Sequence, residues 1–325
     1  MRRGFVTGGI VGVLALGTTL LVVAALRPVE IVVPPVAPFE IGAVATHDGN
    51  VWRWVGPTNC NVDADVVQME RSTGGGGWLT SPTALSNVYS ISFADDDHGV
   101  ATGTTRECAR GVAVTRDGGR TWKTHADDPV LLDAWYQGNT IWGVERVIGQ
   151  PLLAAYKVDS RLRLRPIPGV APIQPCDASD GVPDQIAFWT DTTGLLFCEN
   201  DVVGSRLVAR TTNQGKNFER LADNRPATGL DGGGAVLDMD VAGTETVWLQ
   251  ITPEAGCPEG QIRVSDSQGA IFRRLPCPSK SVDINEVLDV AFTNEADGVM
   301  LGLLDREPVM YVTKDGGASW STGKR

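Results

Sequence analysis

Beyond position 40, apolar residues come in short runs rich in β-branched side chains, and Gly, Asp, Asn or Pro interrupts these runs about every eight to twelve residues. No stretch of this region shows the long 3.6-residue periodicity of an amphipathic helix. Short apolar runs bounded by turn residues are typical of strands. The pattern therefore predicts an all-β body over residues 41–325.

The N-terminal segment has a different pattern, because residues 5–26 carry no charged side chain. A helix of this length spans about 33 Å, which is enough to cross the hydrocarbon core of a bilayer. Arg2 and Arg3 precede it, so the positive-inside rule places residues 1–4 in the cytoplasm. We expect a single-pass cell-membrane anchor at 5–26, a Pro-rich linker at 27–40 and an extracytoplasmic body. A cleaved signal peptide is the alternative.

Four segments of the body align without gaps, and each has Ser or Thr seven residues and Gly three residues before an aromatic side chain. The aligned positions are Thr115, Asp117, Gly119 and Trp122; Thr211, Asn213, Gly215 and Phe218; Ser265, Ser267, Gly269 and Phe272; and Thr313, Asp315, Gly317 and Trp320. Asp, Asn and Ser side chains bond to nearby backbone amides in turns, and Gly adopts positive φ there. We call these four segments the repeated turns and expect each in a β-hairpin.

The spacing of the repeated turns predicts the number of units. The aromatic positions 122, 218, 272 and 320 lie 96, 54 and 48 residues apart, so one unit without such a turn is expected near 130–170. A weaker copy at Thr73–Trp78 adds a sixth unit. Six units of four short strands predict a six-bladed β-propeller. Seven blades would need a divided unit, and a solenoid is the alternative architecture.

The repeated turns resemble the Asp-box, or BNR, repeat, whose pattern is S/T-x-D-x-G-x-T-W. Phe93, six residues before Gly99, adds a second repeated feature that recurs at Phe188 and Phe292. With both features, the segment Ile91–Trp122 resembles the blades of photosystem-assembly-factor-like propellers. This resemblance implies a docking scaffold. Asp-box propellers also include sialidases, and this resemblance implies three carboxylate-binding arginines, a Tyr nucleophile assisted by Glu, and an Asp acid/base. The Phe/Tyr-Arg-Ile-Pro motif of sialidases is absent, so the catalytic residues stay unknown.

The six cysteines are expected to lie at one end of the propeller. If the repeated turns connect the third and fourth strands of each unit, the loops that carry the cysteines lie at the opposite end. Adjacent positions suggest the disulfides Cys60–Cys108, Cys176–Cys198 and Cys257–Cys277 in an oxidising compartment, with free buried thiols as the alternative. The longest insertions, 165–184, 223–235 and 276–286, belong to the same end. We therefore expect the cysteine-bearing end to be the working face.

Charged residues in these loops form a candidate ligand face. Its members are Arg106, Arg110, Arg206, Arg225, Arg306, Glu107 and Glu254. Arginines of this set could bind a carboxylate or sulfate through paired hydrogen bonds. Paired carboxylates of the same set could act in glycoside hydrolysis. No pair is singled out by the sequence. Solvated surface charge is the alternative interpretation.

Composition narrows the classes of partner. Lys and Arg number 28 against 39 acidic residues, so the formal net charge of −11 argues against a nucleic-acid partner. The cysteines and the three histidines lack metal-ligand spacing, so no metal or cofactor is expected. The sequence thus favours a non-catalytic binding or assembly scaffold for a surface protein or glycan. A divergent exo-glycosidase of sialidase type and a structural spacer are the alternatives.

Overall fold

The computed structural model describes residues 40–57, 68–73, 77–83, 85–105, 107–125, 127–147, 150–167, 176, 182–200, 205–223, 225–231 and 234–323. The predicted anchor at 5–26, residues 27–39 of the predicted linker, Cys60 and Arg106 lie outside these residues. In the part of the chain that the structure describes, no helix is long and apolar enough to cross a membrane. The expectation of an anchor therefore stays a prediction.

The described residues form 23 strands and two short 3-10 helices, Pro226–Thr228 and Pro278–Lys280. In chain order the strands are β1 Glu40–His47, β2 Asn50–Pro57, β3 Gln68–Thr73, β4 Trp78–Pro82, β5 Leu85–Phe93, β6 Gly99–Thr105, β7 Arg110–Thr115, β8 Leu131–Gln137, β9 Thr140–Val147, β10 Gln150–Val158, β11 Leu164–Pro166, β12 Val182–Phe188, β13 Gly194–Asn200, β14 Ser205–Thr211, β15 Glu219–Asp223, β16 Val236–Ala242, β17 Thr246–Ile251, β18 Gln261–Ser265, β19 Arg273–Arg274, β20 Glu286–Phe292, β21 Gly298–Leu304, β22 Glu307–Thr313 and β23 Ser321–Thr322.

Within the described residues the strands form six antiparallel sheets, each built from strands that are consecutive in the chain. The first strands of the sheets, β1, β5, β8, β12, β16 and β20, contact one another in that order, and β20 contacts β1. The ring is therefore closed, and the protein is an all-β, six-bladed β-propeller. We number the blades 1 to 6 in chain order. Among the described strands, none of blade 1 belongs to blade 6 or the reverse.

Blade 2 departs from the four-strand unit expected from the sequence, whereas blade 3 is the expected unit without a repeated turn. Blade 2 has three strands, and its fourth is reduced to a bridge between Val114 and Lys123. The chain then turns towards blade 3, where the Asp128 carboxylate accepts a hydrogen bond from the Leu164 amide at 3.0 Å. Blade 3 fills the predicted unit without a repeated turn. Its outer hairpin turns at Asp159, whose carboxylate accepts hydrogen bonds from the amides of Arg161 and Arg163.

Each repeated turn joins the third and fourth strand positions of its blade and lies beside the turn between the first two strands. The Gly118 amide, for example, donates to the Asp97 carbonyl at 2.9 Å, and the Gly316 amide donates to Ala296 at 2.9 Å. The other loops lie at the opposite end of the antiparallel strands. We call the two ends the turn rim and the cysteine rim. The first described residue, Glu40, begins β1 at the cysteine rim.

Each of the four repeated turns has the same pattern of hydrogen bonds. The Thr115 hydroxyl accepts from the buried Gly119 amide at 3.0 Å, and the Asp117 carboxylate accepts from the amide and the hydroxyl of Thr121. The same Ser/Thr–Gly hydrogen bond recurs in the other three turns at 2.9 to 3.1 Å. Gly119 has a φ of +78°, a conformation that favours glycine. This network explains why residue types recur at fixed spacing.

Aromatic stacks join the blades in pairs. A Trp on the second strand of blades 1, 3 and 5 stacks on the Phe that ends the first strand of the following blade. The stacked rings are Trp52 on Phe93, Trp142 on Phe188 and Trp248 on Phe292, with centroids 3.7, 4.3 and 3.8 Å apart. All six side chains are buried. The Phe residues of the repeated Phe-x5-Gly feature are therefore inter-blade packing residues.

The disulfide bonds lie at the cysteine rim. Cys176 bonds to Cys198 and Cys257 bonds to Cys277, with Cα atoms 6.1 and 5.6 Å apart, which confirms two of the predicted pairs. Cys108 is also disulfide-bonded. Its pairing with Cys60 stays a prediction because Cys60 lies outside the described residues. No described cysteine is free.

Candidate binding site in the axial channel

An axial channel runs between the six innermost strands and widens into two cavities. One, of about 250 Å³, extends towards the turn rim, where Asp48 and Gly243 line it. The other, of about 430 Å³, opens at the cysteine rim, where Leu237 and Pro253 line it. We call them the turn-side cavity and the cysteine-side cavity. Concave sites of a few hundred Å³ are common places for small ligands.

Aspartates from three blades surround the junction of the two cavities. Asp133 on β8, Asp238 on β16 and Asp289 on β20 line both cavities, and Asp240 lines the turn-side cavity alone. Asp133, Asp240 and Asp289 are only 6 or 7% exposed. Among the described residues that line the two cavities, none is a lysine or an arginine. The carboxyl groups therefore face the channel without a lysine or arginine in its described wall.

Three of these carboxyl groups connect neighbouring blades. Asp133 accepts a hydrogen bond from the Ile186 amide of blade 4 at 2.9 Å. Asp240 accepts from a backbone amide of blade 6, and Asp289 accepts from an amide of blade 1 at 2.6 Å. Each also accepts from the amide of the residue that follows it, at 2.8 Å. These carboxyl groups thus fix the spacing of the inner strands.

Asp238 differs from the other three, because its carboxyl group is hydrogen-bonded to the carboxyl group of Asp289 on the next blade rather than to a backbone amide of that blade. A hydrogen bond between two carboxyl groups requires a proton on one of them. Burial raises the pKa of Asp133 and Asp238 to about 6, and burial together with the charge of Asp238 raises that of Asp240 to about 8. The pKa of Asp289 is raised well above its ordinary value for the same reasons.

β-Bulges place apolar side chains at the mouth of the cysteine-side cavity. The register of β8, β16 and β20 against the second strand of the blade skips one residue, which is Leu132, Leu237 and Leu288 respectively. A bulge re-aims the side chains on either side of it. All three leucines line the cavity, and Leu237 is 46% exposed. The mouth of the cysteine-side cavity is therefore lined by apolar side chains, and its inner end is lined by carboxyl groups.

The predicted ligand-face arginines do not converge on this cavity. Arg206, expected to project from the rim, is 5% exposed and forms an ion pair with Glu199 at 2.9 Å. Arg225 pairs with Asp223 at 2.7 Å, and the guanidinium of Arg110 lies 4.9 Å from the centre of the Tyr89 ring. Arg306 and Glu107 are exposed at the cysteine rim, and Arg106 lies outside the described residues.

Buried arginines instead hold the insertion between β15 and β16. Arg206 donates to the carbonyls of Leu230 and Gly234, and Arg263 donates to the carbonyl of Gly229. Glu254, predicted for the ligand face, is buried between Arg263 and Arg274 and lies 3.4 Å from each. Loop carbonyls away from water need donors, which these side chains supply. Arg206 and Glu254 therefore support the rim rather than project from it.

A Tyr–Glu pair of the kind that the sialidase alternative requires does occur, but it lies inside a blade. The Tyr156 hydroxyl donates to the Glu145 carboxylate at 2.5 Å within blade 3. Tyr156 is 3% exposed, and neither residue lines the channel cavities. Burial and the hydrogen bond to Glu145 raise the pKa of Tyr156 far above its ordinary value. A phenol so hard to ionise is poorly suited to nucleophilic attack.

Other conspicuous side chains have structural partners. Asp95, in an acidic run that ends at His98, accepts hydrogen bonds from the amides of Asp97 and His98 and so forms a turn. Trp142 is buried in its stack on Phe188. Trp135 is partly buried, and its indole N–H donates to the Phe188 carbonyl at 2.9 Å.

The channel carboxyl groups were missed by the sequence analysis, although a signal for three of them exists. The triplets Leu131–Asp133, Val236–Asp238 and Val287–Asp289 read LLD, VLD and VLD, each on the first strand of a blade. Each places the bulged leucine directly before the channel aspartate. Comparison of the first strands with one another, rather than of the turns alone, would have found them.

Comparisons with known proteins show the fold. No protein-family model matches the chain, and no curated protein matches it in sequence. Among solved structures, the six-bladed lectin of the fungus Aleuria aurantia superposes with a TM-score of 0.55 at 8% identity, over 88% of this chain and 94% of the lectin. A luciferin-regenerating enzyme gives 0.51 at 11% identity, over 85% and 92%. YCF48 from Cyanidioschyzon merolae gives 0.45 at 12% identity, over 89% and 86%.

Proposed function

We propose that this chain is a membrane-anchored, extracytoplasmic Asp-box propeller that binds a protein or a glycan without chemical turnover. The anchor is the uncharged segment 5–26, and the Asp-box assignment rests on the shared network of the repeated turns. Disulfide bonds form and persist in oxidising compartments, so the two described bonds support an extracytoplasmic location. Propellers of similar fold include a fucose-specific lectin from Aleuria aurantia, which accords with a binding role.

The observation that carries the proposal is the contrast between the charges and the cavity at the cysteine rim. Arg206 and Glu254 are buried in ion pairs with the protein, so they offer no convergent set of side chains to a substrate. An open, apolar-mouthed cavity lies at the centre of the same rim. A binding module needs only a shaped face. A glycosidase of sialidase type would also need arginines that bind the substrate carboxylate, and the described lining of this cavity contains no arginine.

Crosslinking on intact cells tests this function with the full chain. We compare Leu237→Arg, which places a charged side chain at the mouth of the cysteine-side cavity, with Ile271→Arg at the turn rim. The two original side chains are both exposed, Leu237 at 46% and Ile271 at 60%. We expect a discrete crosslinked partner, or binding on a glycan array, that Leu237→Arg abolishes and Ile271→Arg preserves. A partner that both variants retain, or that only Ile271→Arg loses, would place the binding face elsewhere, and turnover of a sialoside by the full chain would replace the proposal with the enzymatic alternative.

External protease on intact cells tests the topology. An extracytoplasmic propeller is cleaved only from outside and stays associated with the membrane fraction before cleavage. Protection of the propeller in intact cells would contradict the proposed location.

A further inference from the structure

The two described disulfides differ in how far they are shielded from solvent. Cys176 and Cys198 are 3% and 0% exposed and belong to an apolar cluster of blades 3 and 4. Cys257 is 1% exposed, whereas Cys277 is half-buried. An external thiolate must reach a sulfur atom before it can open a disulfide bond. Cys277 is therefore the cysteine at which thiol–disulfide exchange can begin.

A buried carboxyl group lies beside the bond between Cys257 and Cys277. Glu259 is 2% exposed, and a carboxyl oxygen of this residue lies within 4.8 Å of both sulfur atoms. The carboxyl group accepts a hydrogen bond from the Ser279 amide at 2.8 Å and has no ion-pair partner among the described residues. Burial of such a group is costly. Its position next to the two sulfur atoms therefore points to a role in their chemistry.

Hydrogen-bond acceptors for the reduced form are already in place. The sulfur of Cys257 lies 3.1 Å from the Gly260 carbonyl oxygen, and the sulfur of Cys277 lies 3.3 Å from the Gly256 carbonyl oxygen. A thiol is a weak donor, so each S–H group can donate to its neighbouring carbonyl after reduction. The fold can therefore accommodate both the disulfide and the two thiols.

The bond joins two segments that border the cysteine-side cavity. Cys257 lies in the loop between β17 and β18, and Pro253 of the same loop lines the cavity. Cys277 lies in the connection that leads to β20. There Val287 lines the cavity, and its amide donates to the Glu259 carbonyl at 2.7 Å. The disulfide thus restrains one side of the cavity wall.

We propose that the bond between Cys257 and Cys277 is a redox switch, which an external dithiol opens and which weakens partner binding at the cysteine-side cavity when open. This inference rests on the binding role proposed above and adds its regulation. A thiolate of the dithiol attacks the Cys277 sulfur, a mixed disulfide forms, and the Cys257 thiolate leaves. The second thiolate of the dithiol then attacks its own sulfur in the mixed disulfide and releases the Cys277 thiolate. The dithiol is oxidised by two electrons, and two protons pass to the two cysteines.

Glu259 has a place in this exchange as the group that transfers a proton to and from Cys257. Because Cys257 is 1% exposed, its thiolate is shielded from bulk water as it leaves. The carboxyl group of Glu259 can donate a proton to that sulfur on reduction and accept it again on reoxidation. The same side chain thereby assists both directions of the exchange.

Limited reduction of the full chain by dithiothreitol measures both described bonds in one molecule. Free thiols are alkylated at successive times and located by mass spectrometry of the peptides. We expect the bond between Cys257 and Cys277 to open at least about tenfold faster than that between Cys176 and Cys198, because only Cys277 is accessible to the reagent. Equal rates, or faster opening of the buried bond, would overturn the proposal.

Glu259→Gln tests the proton transfer, and the bond between Cys176 and Cys198 is the control in the same molecule. We expect this substitution to slow the opening of the bond between Cys257 and Cys277 at least about tenfold, since general acid–base catalysis ordinarily contributes about 10²–10⁴-fold. The rate at the control bond should not change. An unchanged rate between Cys257 and Cys277, or an equal change at both bonds, would refute the role of Glu259.

Crosslinking on intact cells before and after limited reduction tests the regulation. We expect the partner captured by the wild-type chain to be lost when the bond between Cys257 and Cys277 opens and to return on reoxidation. A variant with both Cys257→Ser and Cys277→Ser should capture little partner, and dithiothreitol should not change that amount. Equal capture with the bond open and closed would refute the switch and leave the binding role intact. Selective opening in a chain that captures no partner in either state would contradict the binding role itself.

Discussion

Substitution of Trp248 by alanine tests whether the aromatic stacks hold the blades together. Trp248 is completely buried, lies 3.8 Å from Phe292 of the next blade and donates its indole N–H to the Gly316 carbonyl at 3.1 Å. Truncation of a buried Trp costs about 3–5 kcal/mol, and loss of the hydrogen bond adds about 1 kcal/mol. We expect the free energy of unfolding to fall by about 5 kcal/mol and the melting temperature by about 10 °C.

Urea unfolding followed by circular dichroism measures this effect, because it does not depend on the fluorescence of the removed side chain. Trp78→Ala is the control of the same residue type. Trp78 is only partly buried on the outermost strand of blade 1, and its contact is the guanidinium of Arg53, 3.9 Å from the ring centre. We expect that change to cost about 1 kcal/mol. Trp248→Phe keeps a ring in the stack and removes only the N–H donor, so it should cost much less than Trp248→Ala.

The reasoning is refuted if Trp248→Ala and Trp78→Ala lower the free energy of unfolding by the same amount within about 1 kcal/mol. That result would mean that the blades are held by backbone pairing and polar contacts rather than by the stacks. A cost of Trp248→Phe equal to that of Trp248→Ala would assign the stabilisation to the hydrogen bond alone.

Three further predictions address the channel and the cysteine rim. Because the pKa of Asp240 is raised to about 8 in the fold, its neutral form is stabilised, so this contribution to stability is complete below pH 4 and is lost as the pH rises to about 8. Urea midpoints at pH 5 and 8 should show this loss, and Asp240→Asn should reduce the difference between them. Replacement of Cys257 and Cys277 by serine should lower the free energy of unfolding by about 3 kcal/mol relative to the oxidised wild-type chain, and reduction of the wild-type chain should lower it further, because reduction also breaks the Cys176–Cys198 bond. Arg206→Ala leaves Glu199 buried without its ion-pair partner and should lower the free energy of unfolding by about 3–5 kcal/mol. The insertion between β15 and β16 should also be cleaved faster by protease. Unchanged stability would mean that Arg206 is not a supporting residue and is again a candidate for ligand binding.

The blades could be predicted from the sequence because the repeated turns need particular side chains at fixed positions. The hydroxyl of Thr115 must accept the amide of Gly119, and Gly119 must adopt positive φ, so residue type and spacing are both constrained. Blade 3 shows the limit of this argument. Asp159 holds an equivalent turn through the amides of Arg161 and Arg163, at a spacing that the repeated pattern does not contain.

The candidate site could not be predicted from alternation along the strands, because bulges change which side chains face the axis. Because successive side chains of a strand point to opposite faces, one skipped residue reverses the face to which every later side chain points. Leu237 is at the bulge and Asp238 follows it into the channel, although an aspartate in an alternating strand ordinarily suggests a solvent-facing position. Arg206 is a related case, since its inward direction depends on the path of an insertion whose carbonyls it binds.

Closure of the ring and the candidate site depend on the same side chain. The joint between blades 6 and 1 has no Trp–Phe stack among the described residues, and Asp289 joins its inner strands by accepting the Val44 amide at 2.6 Å. A hydroxyl contact of 2.9 Å between Thr46 and Thr293 adds a second polar link. Asp289 also lines the cysteine-side cavity and bonds to Asp238. A ligand that contacts Asp289 in the cavity would therefore also stabilise the closed ring, because a ligand that binds only the folded state stabilises that state.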